Sequence, residues 1–66
     1  QTMISGTIKV WSDAKGWGFI KGDDGEDYFF NIANVRRGQT IRTNCQVSFD
    51  VFQGQRGPEA ENVTLS

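Results

Sequence analysis

Trp11, Trp17, Phe19 and Phe29 stand at strand-like spacings among glycines, with Lys9 and Lys15 beside them. A nucleobase stacked on a side-chain ring gains about 1–3 kcal/mol whatever its identity, because every base has a π-face. A neighbouring cation tracks phosphate and releases condensed counterions. In a duplex the base faces are already stacked on one another, so rings displayed on a surface select single strands. Gly16 and Gly18 flank Trp17 and leave room for a flat ligand to lie close to the ring. The chemistry on offer is stacking plus phosphate neutralisation.

Other chemistries lack their parts. The 66 residues contain no His and one Cys, so there is no His base, no His metal ligand and no internal disulfide. No nucleophile, base and orienting group occur together, so no enzyme is expected, and neither is a cofactor or a small-molecule substrate. Asp23, Asp24, Glu26 and Asp27 gather without a metal-ligand spacing. They form a solvated turn, or an edge that repels phosphate. Seven Lys and Arg against eight Asp and Glu give a net charge of −1, so an anionic partner must be held by a local patch. No apolar run reaches the roughly 18 residues of a membrane span and no signal pattern opens the chain, so a cytoplasmic protein is expected. Met3 is expected as the natural start of a single domain over 3–66, with Gln1 and Thr2 extraneous to it. Cys45 is expected as a small half-buried side chain, not a reactive thiol.

The elements that must position the rings are strands. Runs rich in Ile, Val, Thr and aromatics are separated by Gly and Asp clusters, and no apolar helical period is present. The pattern predicts strands at about 5–12, 16–22, 26–31, 45–53 and 59–65. Asp23-Asp24-Gly25 turns the second strand into the third, and Gly54-Gln55-Arg56-Gly57-Pro58 joins the last two. One short helical turn is expected around Ala33-Asn34-Val35. Five short antiparallel strands expose edges unless they close, so the fold class is all-β, a five-stranded antiparallel barrel. Period-two alternation sends Ile8, Val10, Ile20, Tyr28, Phe30, Val47, Phe49, Val51, Val63 and Leu65 inward. It sends Lys9, Trp11, Trp17, Phe19 and Phe29 outward, with Phe52 extending the apolar surface. A contiguous aromatic patch on a soluble protein marks a binding surface.

Lys15-Gly16-Trp17-Gly18-Phe19-Ile20 resembles the ribonucleoprotein-1 motif K-G-F-G-F-I, and Asp27-Tyr28-Phe29-Phe30-Asn31-Ile32 resembles the ribonucleoprotein-2 motif D-V-F-V-H-F. Gly6-Thr7-Ile8-Lys9-Val10-Trp11 is similar to G-x-V-K-W-F, and Val47-Ser48-Phe49-Asp50, Gly54 to Ala60 and Asn62-Val63 follow the same family. In this order, the motifs resemble a bacterial-type cold-shock domain from Met3 to about Thr64. The resemblance implies a barrel of the oligonucleotide-binding (OB) type that binds single-stranded RNA or DNA and acts as an RNA chaperone. It matches Lys9 and Lys15 to basic positions, Trp17, Phe19 and Phe29 to stacking rings, and Arg56 with Gly57-Pro58 to the last loop.

Four departures bear on affinity. The family's surface Trp is Val10 and its Phe neighbour is Trp11, so either the ring has moved one place or the subsite is lost; alternation favours the move. The family His is Asn31, able to hydrogen-bond a base edge but poor at stacking. The next Phe is Ile32, and the loop to Asn44 has no aromatic, only Arg36, Arg37 and Arg42 as cations. Two or three lost rings at about 1–3 kcal/mol each predict binding weaker than the family norm, or shifted in base preference. A monomer is expected. The competing function is a diverged barrel whose aromatic face meets a protein.

Overall fold

The computed structural model describes residues 3–66; Gln1 and Thr2 lie outside the described residues. Five strands follow the predicted spacing: β1 Ile4–Ser12, β2 Trp17–Gly22, β3 Asp27–Asn31, β4 Gln46–Gly54 and β5 Gly57–Leu65, with a 3-10 turn over Ile32–Asn34. They close into a barrel in the order β1-β2-β3-β5-β4. The pairings are antiparallel except where β3 meets β5, a parallel contact at Phe29 and Glu59.

That seam has little ladder of its own and borrows hydrogen bonds from the long loop. Val35 bridges Val63, and the Arg36 N–H donates to the Val63 carbonyl at 3.0 Å. The Gln39 amide acts as a surrogate peptide: its Nε2 donates to the Val63 carbonyl at 3.1 Å and its Oε1 accepts from the Leu65 N–H. Backbone groups left by the short β3–β5 pairing therefore find partners.

The core holds Ile8, Ile20, Tyr28, Phe30, Ile41, Val47, Phe49, Ala60 and Val63. Val51 and Leu65 are half-buried against it, as alternation predicts. Ile41 is an anchor that periodicity does not reveal, because it sits alone in a polar loop.

Two inside–outside expectations fail, both for one reason. Ile8 pairs with Ile20 but Val10 pairs with Phe19, so Lys9 is an extra residue on β1. Such a bulge reverses the alternation after it. Val10, expected inside, is 45% exposed. Trp11, expected on the outer face beside Lys9, packs instead on the core. Its ring stacks on Phe30 with centroids 5.4 Å apart and planes 8° from parallel. The two rings meet across Gly18, which pairs with both residues. A Cβ on Gly18 would stand 3.1 Å from the Trp11 ring and collide with the Val10 carbonyl. A second bulge lies in β5, where Asn62 takes φ 53° and its amide donates to Asp50 at 3.1 Å. It keeps Val63 inside.

The β2–β3 hairpin is fixed from both sides. Asp24 accepts from the Glu26 N–H at 3.0 Å and from the Tyr28 hydroxyl at 2.6 Å. The Tyr28 bond, with the Glu26 N–H, holds the Asp24 carboxyl below its ordinary range. The Asp24 carboxylate, together with burial, pushes the Tyr28 phenol up to about 12.

Two outcomes are expected. Trp11→Ala, which opens a void over Phe30, lowers unfolding stability in urea by about 3 kcal/mol. The Tyr28 phenol has its folded pKa raised above the ordinary 10.0, so its contribution is complete below pH 10 and is lost as pH rises towards 12. Tyr28 is the sole tyrosine, so phenolate absorbance reads this titration directly. In Asp24→Asn the absorbance step moves to lower pH, and the stability difference between the two proteins narrows over the same interval.

Candidate nucleic-acid interface

Cross-strand partners set a row across the outer face of the sheet: Val10, Phe19, Phe29, Glu59 and Phe52, each on the next strand round the barrel. Trp17, opposite Asn31, lies in the adjoining row on the same side. The three central rings are mutually packed. Trp17 meets Phe19 edge to face at 5.7 Å and lies near-parallel to Phe29 at 6.1 Å, while Phe19 and Phe29 are 5.7 Å apart at 70°. Each is half-buried, fixed at its base and open on one side. Rigid rings lose little entropy when a ligand stacks on them.

Arg56 completes the cluster. The β4–β5 hairpin is tight, with Gly54 paired to Gly57 and Gly57 at φ 102°. This brings the Arg56 guanidinium to 4.7 Å over the Phe29 ring. Trp17, Phe19, Phe29 and Arg56 together line one shallow cleft of about 180 Å³. Its walls are flat and apolar with one cation at the rim, which suits a planar ring attached to an anion.

The flanks carry the remaining cations. Lys9 is exposed at the bulge and Lys15 is exposed in the turn that leads into Trp17. Gly16 in that turn takes φ 74°, and its carbonyl accepts from the Ile32 N–H at 2.8 Å, tying the turn to the end of β3. Lys21 is instead drawn towards Asp27, 3.8 Å away. Asn31 is exposed beside Trp17, and its Oδ1 is already in use, capping the 3-10 turn through the Ala33 N–H at 2.8 Å. Its NH2 remains as a donor. Ile32 is 55% exposed and offers no ring. Among the described residues no group of His, Cys, Asp and Glu is arranged to hold a metal ion.

Lys9, Lys15, Trp17, Phe19, Phe29, Asn31 and Arg56 thus lie on or beside one face. Trp11 does not: of the two alternatives left by the sequence, the position is Val10's and Trp11 packs at the barrel edge. Glu59 is the residue of this face that sequence reasoning misses. Its place depends on the parallel β3–β5 register, which no local pattern announces.

The family described as "'Cold-shock' DNA-binding domain" matches residues 4–66 of this chain. The chain is 39% identical over 64 residues to a major cold shock protein of Streptococcus pyogenes serotype M1, covering 94% of this chain and 96% of that protein. It is 42% identical over 65 residues to the cold shock protein ScoF of Streptomyces coelicolor, covering 94% and 97%. A cold shock protein of Arthrobacter globiformis is 39% identical over 66 residues, covering 96% and 98%.

Proposed function

The chain belongs to the cold-shock DNA-binding domain family, which binds nucleic acid, and from that premise we propose that it binds single-stranded RNA or DNA by stacking bases on Trp17, Phe19 and Phe29. The observation that carries this reading is the shared cleft of those three rings under the Arg56 guanidinium. Lys9 and Lys15 take phosphate at its margins, Arg56 closes the cleft over Phe29, and the Asn31 amide donates to a base edge. Binding single strands and not duplexes lowers the free energy of the open form by mass action, which melts weak RNA secondary structure. The protein acts as a cytoplasmic, monomeric RNA chaperone in this reading.

Its affinity is below that of a relative with a full set of rings. Val10 and Ile32 expose aliphatic side chains where the family pattern has rings, and the Asn31 oxygen is occupied by its cap. The same exposed Val10 and Ile32 favour the second reading, in which the face meets a protein.

Salt separates the two. Against a short oligothymidine, log affinity falls with log salt at a slope of about 0.7 per phosphate contacted, whereas an apolar protein contact is nearly salt-independent. Tryptophan-fluorescence titration at two salt concentrations reads this, and the absence of saturable quenching for both DNA and mixed-sequence RNA would reject single-strand binding. Phe19→Ala and Phe29→Ala each weaken binding by about 1–3 kcal/mol and leave the fold intact. Phe49→Ala, inside the barrel, costs about 3–5 kcal/mol of stability instead.

A further inference from the structure

Glu59 stands between Phe29 and Phe52 in the outer row, and its carboxylate leans over Gly54 at the foot of the β4–β5 hairpin. It is the cross-strand partner of Phe29 on one side and of Phe52 on the other. Neighbouring strands are about 4.8 Å apart, so a base stacked on Phe29 carries its edge over Glu59. An acid there repels phosphate, which makes its position unexpected for a surface that only tracks a backbone.

The carboxylate is held in place. It leans over Gly54, where a Cβ would collide with it, so this glycine provides its seat. Its Oε2 accepts from the backbone N–H of Arg56 at 3.4 Å. The same residue's guanidinium lies over Phe29. One hairpin therefore carries a donor-only group over the Phe29 ring and, on the residue paired with Phe29, an acceptor-only group.

Base edges differ in what they offer such a pair. A carboxylate wants two adjacent donors, and a guanidinium wants two adjacent acceptors. Guanine alone has both: its N1–H and N2 amino group side by side, and O6 beside N7. Cytosine and adenine each set one amino donor next to a ring acceptor. Thymine and uracil flank their single N–H with two carbonyls, which the carboxylate repels.

Resting on the single-strand reading above, we propose that Glu59 and Arg56 make the Phe29 subsite selective for guanine. Arg56 moves from the ring face to the ring edge when the base stacks. Among the described residues no carboxylate lies within ion-pair distance of Arg56 to oppose that movement. Its guanidinium then donates to O6 and N7 while Glu59 accepts from N1–H and N2. Thymine at this subsite gains the stack without either pair.

The test is a positional scan. A single dG replaces thymidine at each position of an oligothymidine in turn, and affinities are read by tryptophan quenching. One position is expected at which dG binds about tenfold or more tighter than dT, the discrimination of a good bidentate base contact. Deoxyinosine there, lacking only the N2 amino group, loses part of the gain. Glu59→Gln reduces the dG-to-dT ratio several-fold while its melting temperature is unchanged. A scan with no dG-preferring position, or a preference that Glu59→Gln leaves intact, overturns guanine selection and leaves single-strand binding standing. Failure of every oligonucleotide to bind overturns both.

Discussion

Lys9 is one residue more than β1 needs to stay in register with β2, and the sorting of rings between core and surface depends on that surplus. The pairs Ile8–Ile20 and Val10–Phe19 bracket it. Without the bulge, continued alternation would carry Trp11 to the outer face and Val10 into the core. With it, Trp11 crosses Gly18 and stacks on Phe30, closing one end of a thin core. A 66-residue domain buries only about 60% of the surface exposed by its unfolded chain, so one large ring moved inward is a substantial share of its apolar burial. The outer face gives up a ring for this. The packing choice in β1 and the number of rings left on the outer surface are one decision.

Closure brings the second consequence. A five-stranded sheet this short can meet itself only briefly, and β3 and β5 share one pair, Phe29 with Glu59. Val35, Arg36 and Gln39 supply the rest of the seam from the loop. That loop carries no aromatic, and its Gln39 and Ile41 are turned to structural work, one along the β5 edge and one in the core. The parallel contact that closes the barrel also brings the β4–β5 hairpin against the aromatic cluster, so Arg56 reaches Phe29 because the barrel closes there.

Much of this was legible in the residues. Strand positions followed from period-two runs and turn residues, and the outward trio Trp17, Phe19 and Phe29 followed from alternation in β2 and β3, which have no bulge. The Asn31-capped turn was foreshadowed by the missing β-run at Ala33-Asn34-Val35. What failed was local to the bulge in β1. Neither Lys9 nor its neighbours carry a glycine or proline to announce one, and the force that drives it, the fit of Trp11 over Gly18 and Phe30, is a tertiary one. Glu59 escaped for a similar reason: its neighbour Phe29 is far away in sequence, and only the register of the closing seam brings them together.

The proposed binding rests on the division of the two tryptophans, Trp17 on the outer aromatic face and Trp11 packed in the barrel. Two single-tryptophan proteins, Trp11→Phe and Trp17→Phe, titrated with the same oligothymidine, test it most directly. Quenching is expected to persist in Trp11→Phe, where Trp17 is the reporter, and to be largely lost in Trp17→Phe, where Trp11 reports from its stack on Phe30. Strong, saturable quenching of Trp11 in Trp17→Phe would contradict the account and return Trp11 to the binding surface.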